Sequence, residues 1–311
     1  LFRSMNNSSS LLLKIISDIL DFSKIESEQL KIEPHEFSPR EVMSHITANY
    51  LPLVVRKQLG LYCFIEPDVP LTLQGDPMRL QQVISNLLSN AIKFTDIGCI
   101  ILHVSVDGDY LSLRVRDTGV GIPAKEVTRL FDPFFQVGTG VQHNFQGTGL
   151  GLAICEKLIS MMDGDIAVDT EVGMGSQFTI RIPLYAAKYA EQSHVEGLVN
   201  KRCWLAVRNA SLSKYLESVL ARNQIDVRQY QGQRPDNDDI LITDDELENE
   251  WEGRAAIIFC RRHIGIPIEA SPGCWLHSLA APHDLLLLLG RIYSITVNLP
   301  GTDSTQPVAV D

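Results

Sequence analysis

The apolar pattern of this 311-residue sequence lapses between residues 186 and 198, and helix and strand patterns lie on both sides of the gap. Before the gap, long helical stretches mix with strand-like segments, which predicts an α/β sandwich. After it, short strands alternate with helices, which is the pattern of a parallel sheet. The length also suits two domains. The predicted helices are 40–58, 76–94 and 150–162, then 212–222 and 283–292. The predicted strands are 100–106, 111–117, 165–169 and 177–183, then 203–207, 226–230, 240–243 and 256–260.

Residues 8–30 predict a further amphipathic helix, because Leu12, Ile15, Ile19 and Phe22 recur at helical spacing. Its other side carries lysine and acidic residues. A lone helix of this kind must bury its apolar stripe against a partner.

Bulk composition excludes several classes of protein. The net charge of -11 argues against a nucleic-acid binder, which needs clustered Lys and Arg. The six cysteines form no CxxC pair, so no zinc or thioredoxin-type site is expected, and reduced, buried thiols are predicted. No apolar run approaches the roughly 20 residues that span a bilayer, and no signal peptide stands at the start.

Polar residues share one face of the predicted helix in QQVISNLLSNAIKFT, residues 81–95. Asn86, Asn90 and Lys93 fall at i, i+4 and i+7. Amide oxygens suit Mg²⁺, and the lysine suits phosphates. By itself, the stripe is equally typical of a solvated helix face.

Three glycine-containing segments could surround a nucleotide. In RVRDTGVGIP (114–123), Asp117 could accept a hydrogen bond from the adenine amine, and the glycines would let a ring approach the backbone. In GTGLGLAICEKLI (147–159), glycines lead directly into a helix whose N–H groups suit phosphate. In VGMGSQFTIRIP (172–183), Thr179 could face the adenine. Each segment alone also fits a simple turn or an ordinary strand.

Together, in this order, the segments resemble the histidine-kinase branch of the ATPase superfamily shared with gyrase, Hsp90 and the mismatch-repair ATPases. Residues 75–95 resemble its asparagine box, DTGVGIP and GTGLGL its two glycine boxes, and LFDPFFQ (130–136) its phenylalanine box. The resemblance covers about residues 8–185. It implies a Bergerat-type α/β sandwich that binds ATP with Mg²⁺.

The resemblance also implies roles for individual residues. Asn86 and Asn90 would hold Mg²⁺, with Asn86 and Lys93 as the catalytic pair. Residues 132–148 would form a lid, in which Gln136 stands where many relatives carry Arg. The implied ATP-binding residues are Asn86, Asn90, Lys93, Asp117, Gly119, Gly121, Gly147, Thr148, Gly149, Leu150, Gly151 and Thr179.

Phosphoryl transfer is favoured over hydrolysis. Hydrolysing members of the superfamily place a Glu four residues before the magnesium Asn, where this chain has Asn86, and an amide cannot take a proton from water. The acceptor histidine of such kinases lies in an HExRTP-like motif on the helix before residue 8, and none of the eight histidines here has that context. Residues 8–30 resemble the second helix of the dimerisation hairpin.

The second domain resembles a response-regulator receiver that has lost its site. Asp244 in ILITDDELEN falls at the phospho-acceptor position, but Asn209 and Ala210 replace the acidic pair and Ala281 replaces the Lys. We therefore expect a degenerate receiver used for contacts. Trp251, Trp275 and Tyr230 are candidate contact residues, with packing in the core as the alternative. An unrelated α/β linker domain is the alternative fold.

The architecture as a whole is similar to hybrid sensor kinases of a bacterial phosphorelay. The expected order is a partial dimerisation helix (1–33), an ATP-binding catalytic domain (34–185), a linker (186–196), a receiver-like domain (197–299) and a linker tail (300–311). The resemblance implies homodimerisation, receiver and phosphotransfer domains as partners, and the cytoplasmic portion of an inner-membrane protein, without nucleic acid or direct membrane contact. The competing function is a non-catalytic scaffold that binds nucleotide and a partner protein.

Overall fold

The computed structural model describes residues 15–137, 148–189, 196–244, 253–260, 268–271, 274–278 and 285–294. The chain divides into two compact units. The first contains Leu1–Phe37, Gln74–Ile100 and Asp107–Ala186, and the second contains Ser38–Leu73, Ile101–Val106 and Ala187–Asp311.

The elements follow the predicted order, with additional short strands. Up to residue 189 they are α1 (15–26), β1 (His35–Phe37), α2 (Pro39–Arg56), β2 (Gly60–Ile65), β3 (Thr72–Gly75), α3 (Pro77–Phe94), β4 (Cys99–Asp107), β5 (Tyr110–Asp117), α4 (Ala124–Val127), α5 (Gly151–Met161), β6 (Asp165–Glu171), β7 (Gly175–Pro183) and β8 (Tyr185–Lys188). They continue with a 3₁₀ turn (Glu196–Leu198), β9 (Arg202–Ala206), α6 (Ala210–Arg222), β10 (Asp226–Gln229), β11 (Ile240–Thr243), β12 (Ala255–Cys260), β13 (Ile268–Ser271), β14 (Cys274–Ser278) and α7 (Leu285–Tyr293).

The first unit is a layer of helices on an antiparallel sheet. In the sheet, β7 lies between β5 and β6, with Val115 opposite Phe178 and Phe178 opposite Val168. Helix α3 packs against α5 and β5, and α5 packs against β6 and β7. This arrangement confirms the predicted α/β sandwich.

Local signals at each end of α3 explain why it forms where the sequence predicts it. The Asp76 side chain caps the helix by accepting a hydrogen bond from the Arg79 N–H at 3.0 Å, and Pro77 occupies the first turn. Thr95, which follows the helix, has an extended backbone. Between these ends, the apolar face is buried: Leu80, Val83, Ile84, Leu87, Leu88, Ala91 and Ile92. The remaining face carries the polar residues predicted to bind nucleotide.

Helix α1 ends at residue 26, earlier than the predicted residue 30, and residues 8–14 lie outside the described part. Its apolar stripe is only partly covered within the chain. Ile25 is buried, whereas Ile16, Ile19 and Leu20 are 46%, 49% and 53% exposed. The stripe that the sequence expects to be buried is therefore open in this chain.

The second unit contains a six-stranded sheet in the order β10-β9-β11-β12-β14-β13. The first five strands are parallel, and β13 pairs antiparallel with β14 at the edge. When the five parallel strands are numbered in chain order, without β13, their order in the sheet is 2-1-3-4-5. This is the order of a doubly wound fold, and it supports the predicted receiver-like topology. Within the described residues, the connection between β10 and β11 departs from a receiver, because residues 230–239 contain no helix.

Three further expectations concern the whole chain. Of the cysteines, Cys63, Cys155 and Cys203 are buried free thiols, and burial raises the pKa of Cys203 to about 12. In the part of the chain that the structure describes, none of the helices is long and apolar enough to cross a membrane. Residues 186–188 of the expected linker (186–196) belong to β8 (Tyr185–Lys188). Strand β2 was not predicted from the sequence. All its residues are buried, and a strand covered on both faces shows no alternation of apolar and polar residues.

Candidate nucleotide-binding site

The polar face of α3 forms one wall of the candidate site. Asn86, Asn90 and Lys93 are all half-buried on this face, as their spacing predicts. The Asn86 Nδ2 donates a hydrogen bond to Cys155 Sγ on α5 at 3.2 Å. Because its nitrogen is used in this way, the Asn86 oxygen is the atom suited to coordinating a cation. The Lys93 Nζ lies 4.9 Å from the ring centroid of Phe94.

The start of α5 lies directly against Asn86. A Cβ built on Gly151 would stand 2.7 Å from both the Nδ2 and the Oδ1 of Asn86. A larger residue at position 151 would require the Asn86 amide to move. The N-terminal turn of a helix has N–H groups that are not bonded within the helix, and these bind phosphate well. The structure therefore brings the second glycine segment to the amide face of α3.

Several contacts connect the turn before α5 to neighbouring segments. Gly149 has a φ of +71°, and a Cβ there would lie 2.7 Å from the Phe134 carbonyl carbon. The Phe134 N–H donates to the Gly149 carbonyl at 3.0 Å. The Thr148 hydroxyl donates to Asp18 on α1 at 3.0 Å and accepts from the Leu150 N–H at 3.2 Å. Gly147 lies outside the described residues.

Asp117 lies at the end of β5, is 6% exposed, and is bound by backbone groups. Its Oδ1 accepts from the Gly119 N–H at 2.8 Å and from the Ser176 N–H at 3.3 Å. Burial raises the pKa of Asp117 above its usual range, and the two backbone hydrogen bonds act in the opposite direction. A Cβ on Gly119 would be 2.4 Å from the Phe94 carbonyl oxygen, so this loop meets the end of α3.

The loop after Asp117 is also fixed to the β6–β7 turn. Gly121 has a φ of +69°, and a Cβ there would be 2.0 Å from the Glu171 carbonyl oxygen. The Ile122 N–H donates to the Thr170 hydroxyl at 2.9 Å. That hydroxyl lies 2.9 Å from the Ser176 hydroxyl. A chain of polar contacts thus connects Ile122 through Thr170 and Ser176 to Asp117.

Thr179 is not brought to this site. Side chains alternate along a strand, and Phe178 pairs with Val115 on the buried face that also carries Asp117. Thr179 lies opposite Arg114 and the exposed Ala167, on the other face of the sheet. The residue that contacts Asp117 is Ser176. Sequence reasoning missed Ser176 and Thr170, although Ser176 directly follows the GMG turn.

The phenylalanine box (130–136) lies partly on the first unit's surface. Leu130 is buried, whereas Phe134 is 66% exposed, has a φ of +65° and packs edge-on against Phe22 of α1 at 6.2 Å. Gln136 is exposed. Most of the predicted lid, residues 138–147, lies outside the described part of the chain.

In the second unit, Asp244 follows β11 at the carboxyl edge of the parallel sheet. Its two carboxylate oxygens accept hydrogen bonds from the Arg208 N–H at 2.8 Å and the Asn209 N–H at 2.9 Å. Asn209, predicted to replace a metal ligand, instead caps α6 by accepting from the Leu212 N–H. Ala281 and Trp251 lie outside the described residues. Trp275 is buried, and Tyr230 packs against Trp204.

Comparison with known proteins agrees with this geometry. Residues 75–186 match the family described as histidine kinase-, DNA gyrase B-, and HSP90-like ATPase, and residues 203–293 match the RcsC alpha-beta-loop family. The chain is 75% identical to sensor histidine kinase RcsC of Salmonella typhimurium over 98% of its length, covering 33% of that protein. It is also 75% identical to the Escherichia coli K12 RcsC over 97% of its length, again covering 33% of that protein.

A similar solved structure supports the fold, and nothing beyond the fold. Full-length ShkA in complex with AMPPNP aligns with a TM-score of 0.67 over 83% of this chain and 56% of that chain, at 23% identity. The present chain spans about a third of the curated RcsC relatives. The ATPase-like match contains the asparagine and glycine segments of the site, and the alpha-beta-loop match contains β9 to α7. The chain therefore belongs to the sensor histidine kinase family, with its ATPase-like domain at residues 75–186 and an RcsC-type alpha-beta-loop domain at residues 203–293.

Proposed function

We propose that this chain binds ATP with Mg²⁺ and presents the γ-phosphoryl group for transfer to a histidine in a bacterial phosphorelay. The observation that carries the proposal is the close approach of backbone to α3 from two sides. Gly151 abuts the Asn86 amide, and Gly119 abuts the carbonyl oxygen of Phe94. Both glycine segments therefore lie against the helix that carries Asn86, Asn90 and Lys93.

Each wall of the site offers different chemistry to the nucleotide. The Asp117 carboxylate would accept the exocyclic amine of adenine, with Ser176 and Thr170 holding the surrounding backbone. Lys93 and the N-terminal turn of α5, from Gly149 to Gly151, would bind the phosphates.

The amide face fits Mg²⁺ as a shared ligand of protein and substrate. Asn86 and Asn90 are half-buried, one helical turn apart, and the Asn86 nitrogen is already bonded to Cys155. Hard oxygen donors of this type suit Mg²⁺, which keeps part of its coordination shell for water and phosphate. When bound, the ion would supply charge neutralisation to the triphosphate.

Transfer is favoured over hydrolysis because the site has no base for water at the position of Asn86. An amide cannot accept a proton from water at neutral pH. With water poorly activated, bound ATP would persist until an acceptor arrives. The catalytic contribution of Asn86 and Lys93 would then be positioning and charge neutralisation.

The remaining proposals concern the whole protein. Its relatives are about three times as long as this chain, so the acceptor histidine, receiver domains and phosphotransfer partners are expected elsewhere in the system. The exposed Ile16, Ile19 and Leu20 on α1 support homodimerisation through a helical bundle. We further propose that the chain is the cytoplasmic portion of an inner-membrane sensor.

Calorimetry with ATP, in the presence and absence of Mg²⁺, tests the site. Asn90→Ala is expected to abolish the Mg²⁺-dependent part of binding, since losing a desolvated polar partner costs about 1–3 kcal/mol. Thr179→Ala is the matched control, because Thr179 lies on the opposite face of β7, and it should bind like the parent. Equal binding by Asn90→Ala and the parent would show that the site is misassigned.

Labelling with radioactive ATP tests the reaction class. The chain should bind nucleotide without phosphorylating itself, because none of its histidines lies in an acceptor motif. Stable, acid-labile labelling of this chain would contradict the proposal. A chain that does not bind ATP at all would contradict both this proposal and the competing nucleotide-binding scaffold.

A further inference from the structure

The aromatic face of β2 is covered by a residue of the alpha-beta-loop domain. Tyr62 and Phe64 lie on one face of β2, with ring centroids 5.9 Å apart. The Tyr215 ring from α6 stacks on Phe64 at 4.9 Å and 28° between planes. The Tyr215 hydroxyl donates to the Ile65 carbonyl oxygen at 3.1 Å. Residues 150 positions apart are therefore joined by both a ring contact and a hydrogen bond.

This contact is buried from solvent. Tyr215 is 4% exposed and Phe64 is 3% exposed. Burial raises the pKa of the Tyr215 hydroxyl well above its usual range, so this group remains a hydrogen-bond donor. On the same aromatic cluster, His103 meets Phe64 edge-on, and its Nε2 lies 2.8 Å from Glu66 Oε1. Stacked aromatic rings and buried tyrosine hydroxyls that donate hydrogen bonds also stabilise protein–protein interfaces.

Asp244 binds the backbone just before α6. Its carboxylate accepts the Arg208 and Asn209 N–H groups, and Asn209 in turn caps the helix at Leu212. Tyr215 follows one turn later. A hydrogen-bonded path therefore runs from the position expected for phosphate acceptance to the residue that contacts β2.

We propose that α6 is an intramolecular docking helix that fixes the alpha-beta-loop domain to β2 within the second unit, and that Asp244 holds this helix in its docked position. Asp244, at the position where a receiver would accept phosphate, would therefore hold α6 in place instead. The domain thereby supports β2, which also packs against α2. This proposal does not depend on nucleotide binding at the site above.

Hydrogen–deuterium exchange on the full chain tests the docking, with peptides covering 60–65 and 151–161 measured separately. Tyr215→Ala should speed exchange at 60–65 by more than about tenfold, and leave 151–161 unchanged, since it removes both the ring and the hydroxyl contact. Tyr215→Phe keeps the ring and should give only about a two- to tenfold change. Lys214→Ala, on the exposed side of the same helix, is the control and should have no effect.

Asp244→Asn tests whether Asp244 holds α6 in place. It loses one acceptor oxygen, so exchange should rise at 208–215 and, to a smaller degree than in Tyr215→Ala, at 60–65. Unchanged exchange at 60–65 in both Tyr215→Ala and Asp244→Asn would overturn the proposal. An equal rise at 60–65 and 151–161 would also overturn it, because that outcome reports general destabilisation instead of loss of docking.

Discussion

Gly121→Ala separates backbone strain from steric conflict in the loop that carries Asp117. Gly121 has a φ of +69°, and its Cβ would stand 2.0 Å from the Glu171 carbonyl oxygen. Gly173 in the neighbouring turn has a φ of +82°, and a Cβ there meets nothing within 4 Å. The two substitutions therefore impose a similar conformational strain, but only the first creates a clash.

The expected magnitudes follow from these distances. Forcing alanine into the left-handed region costs roughly 1–2 kcal/mol at either position. At Gly121 the two segments must also separate by at least 1.0 Å, because Cβ atoms essentially never approach within 3.0 Å. That separation would break the hydrogen bonds from Ile122 to Thr170 and from Gly173 to Val120. At roughly 0.5–1.5 kcal/mol each, their loss brings the cost for Gly121→Ala to about 2–5 kcal/mol.

Urea unfolding followed by circular dichroism measures the free energy of unfolding, and calorimetry with Mg²⁺ and ATP measures affinity. Gly121→Ala should lower both, whereas Gly173→Ala should lower the first by the smaller amount and preserve ATP affinity. Values for the two variants that agree within about 0.5 kcal/mol would refute the steric argument.

Two other measurements address single carboxylates. Since burial raises the pKa of Asp117, its carboxylate takes up a proton at a higher pH than an ordinary Asp, so ATP affinity should fall as the pH is lowered through that pKa, and Asp117→Asn should lack this step. Affinity of the parent that is constant down to pH 4 would show that Asp117 does not accept the adenine amine. Asp244 should not be phosphorylated by acetyl phosphate with Mg²⁺, because both its oxygens already bind backbone N–H groups. A mass gain of one phosphoryl group, absent in Asp244→Ala, would identify a working receiver.

The sequence alone was sufficient for the elements whose signals are local. The bounds of α3 follow from a capping Asp76, a proline in the first turn and a continuous apolar stripe, all within one segment. The same stripe determines which face Asn86, Asn90 and Lys93 occupy. Strand β11 was predicted at its observed bounds, Ile240–Thr243, because it is a short apolar run ended by a β-branched threonine, and all four residues are buried in the structure. Local periodicity carries this information because it depends only on the 3.6 and 2.0 repeats of the backbone.

Tertiary structure decided what depends on partners distant along the chain. Thr179 and Ser176 are three residues apart on β7, so they lie on opposite faces of the strand. The register of β7 against β5 decides which of the two faces carries Asp117. The requirement for glycine at position 121 comes from Glu171, 50 residues later, and cannot be seen in the DTGVGIP motif. Sequence reasoning selected tryptophans and Tyr230 as contact residues of the second domain, whereas Tyr215 makes the contact with β2. A tyrosine in an apolar helical stripe shows only that it is buried, and the fold alone determines what it is buried against.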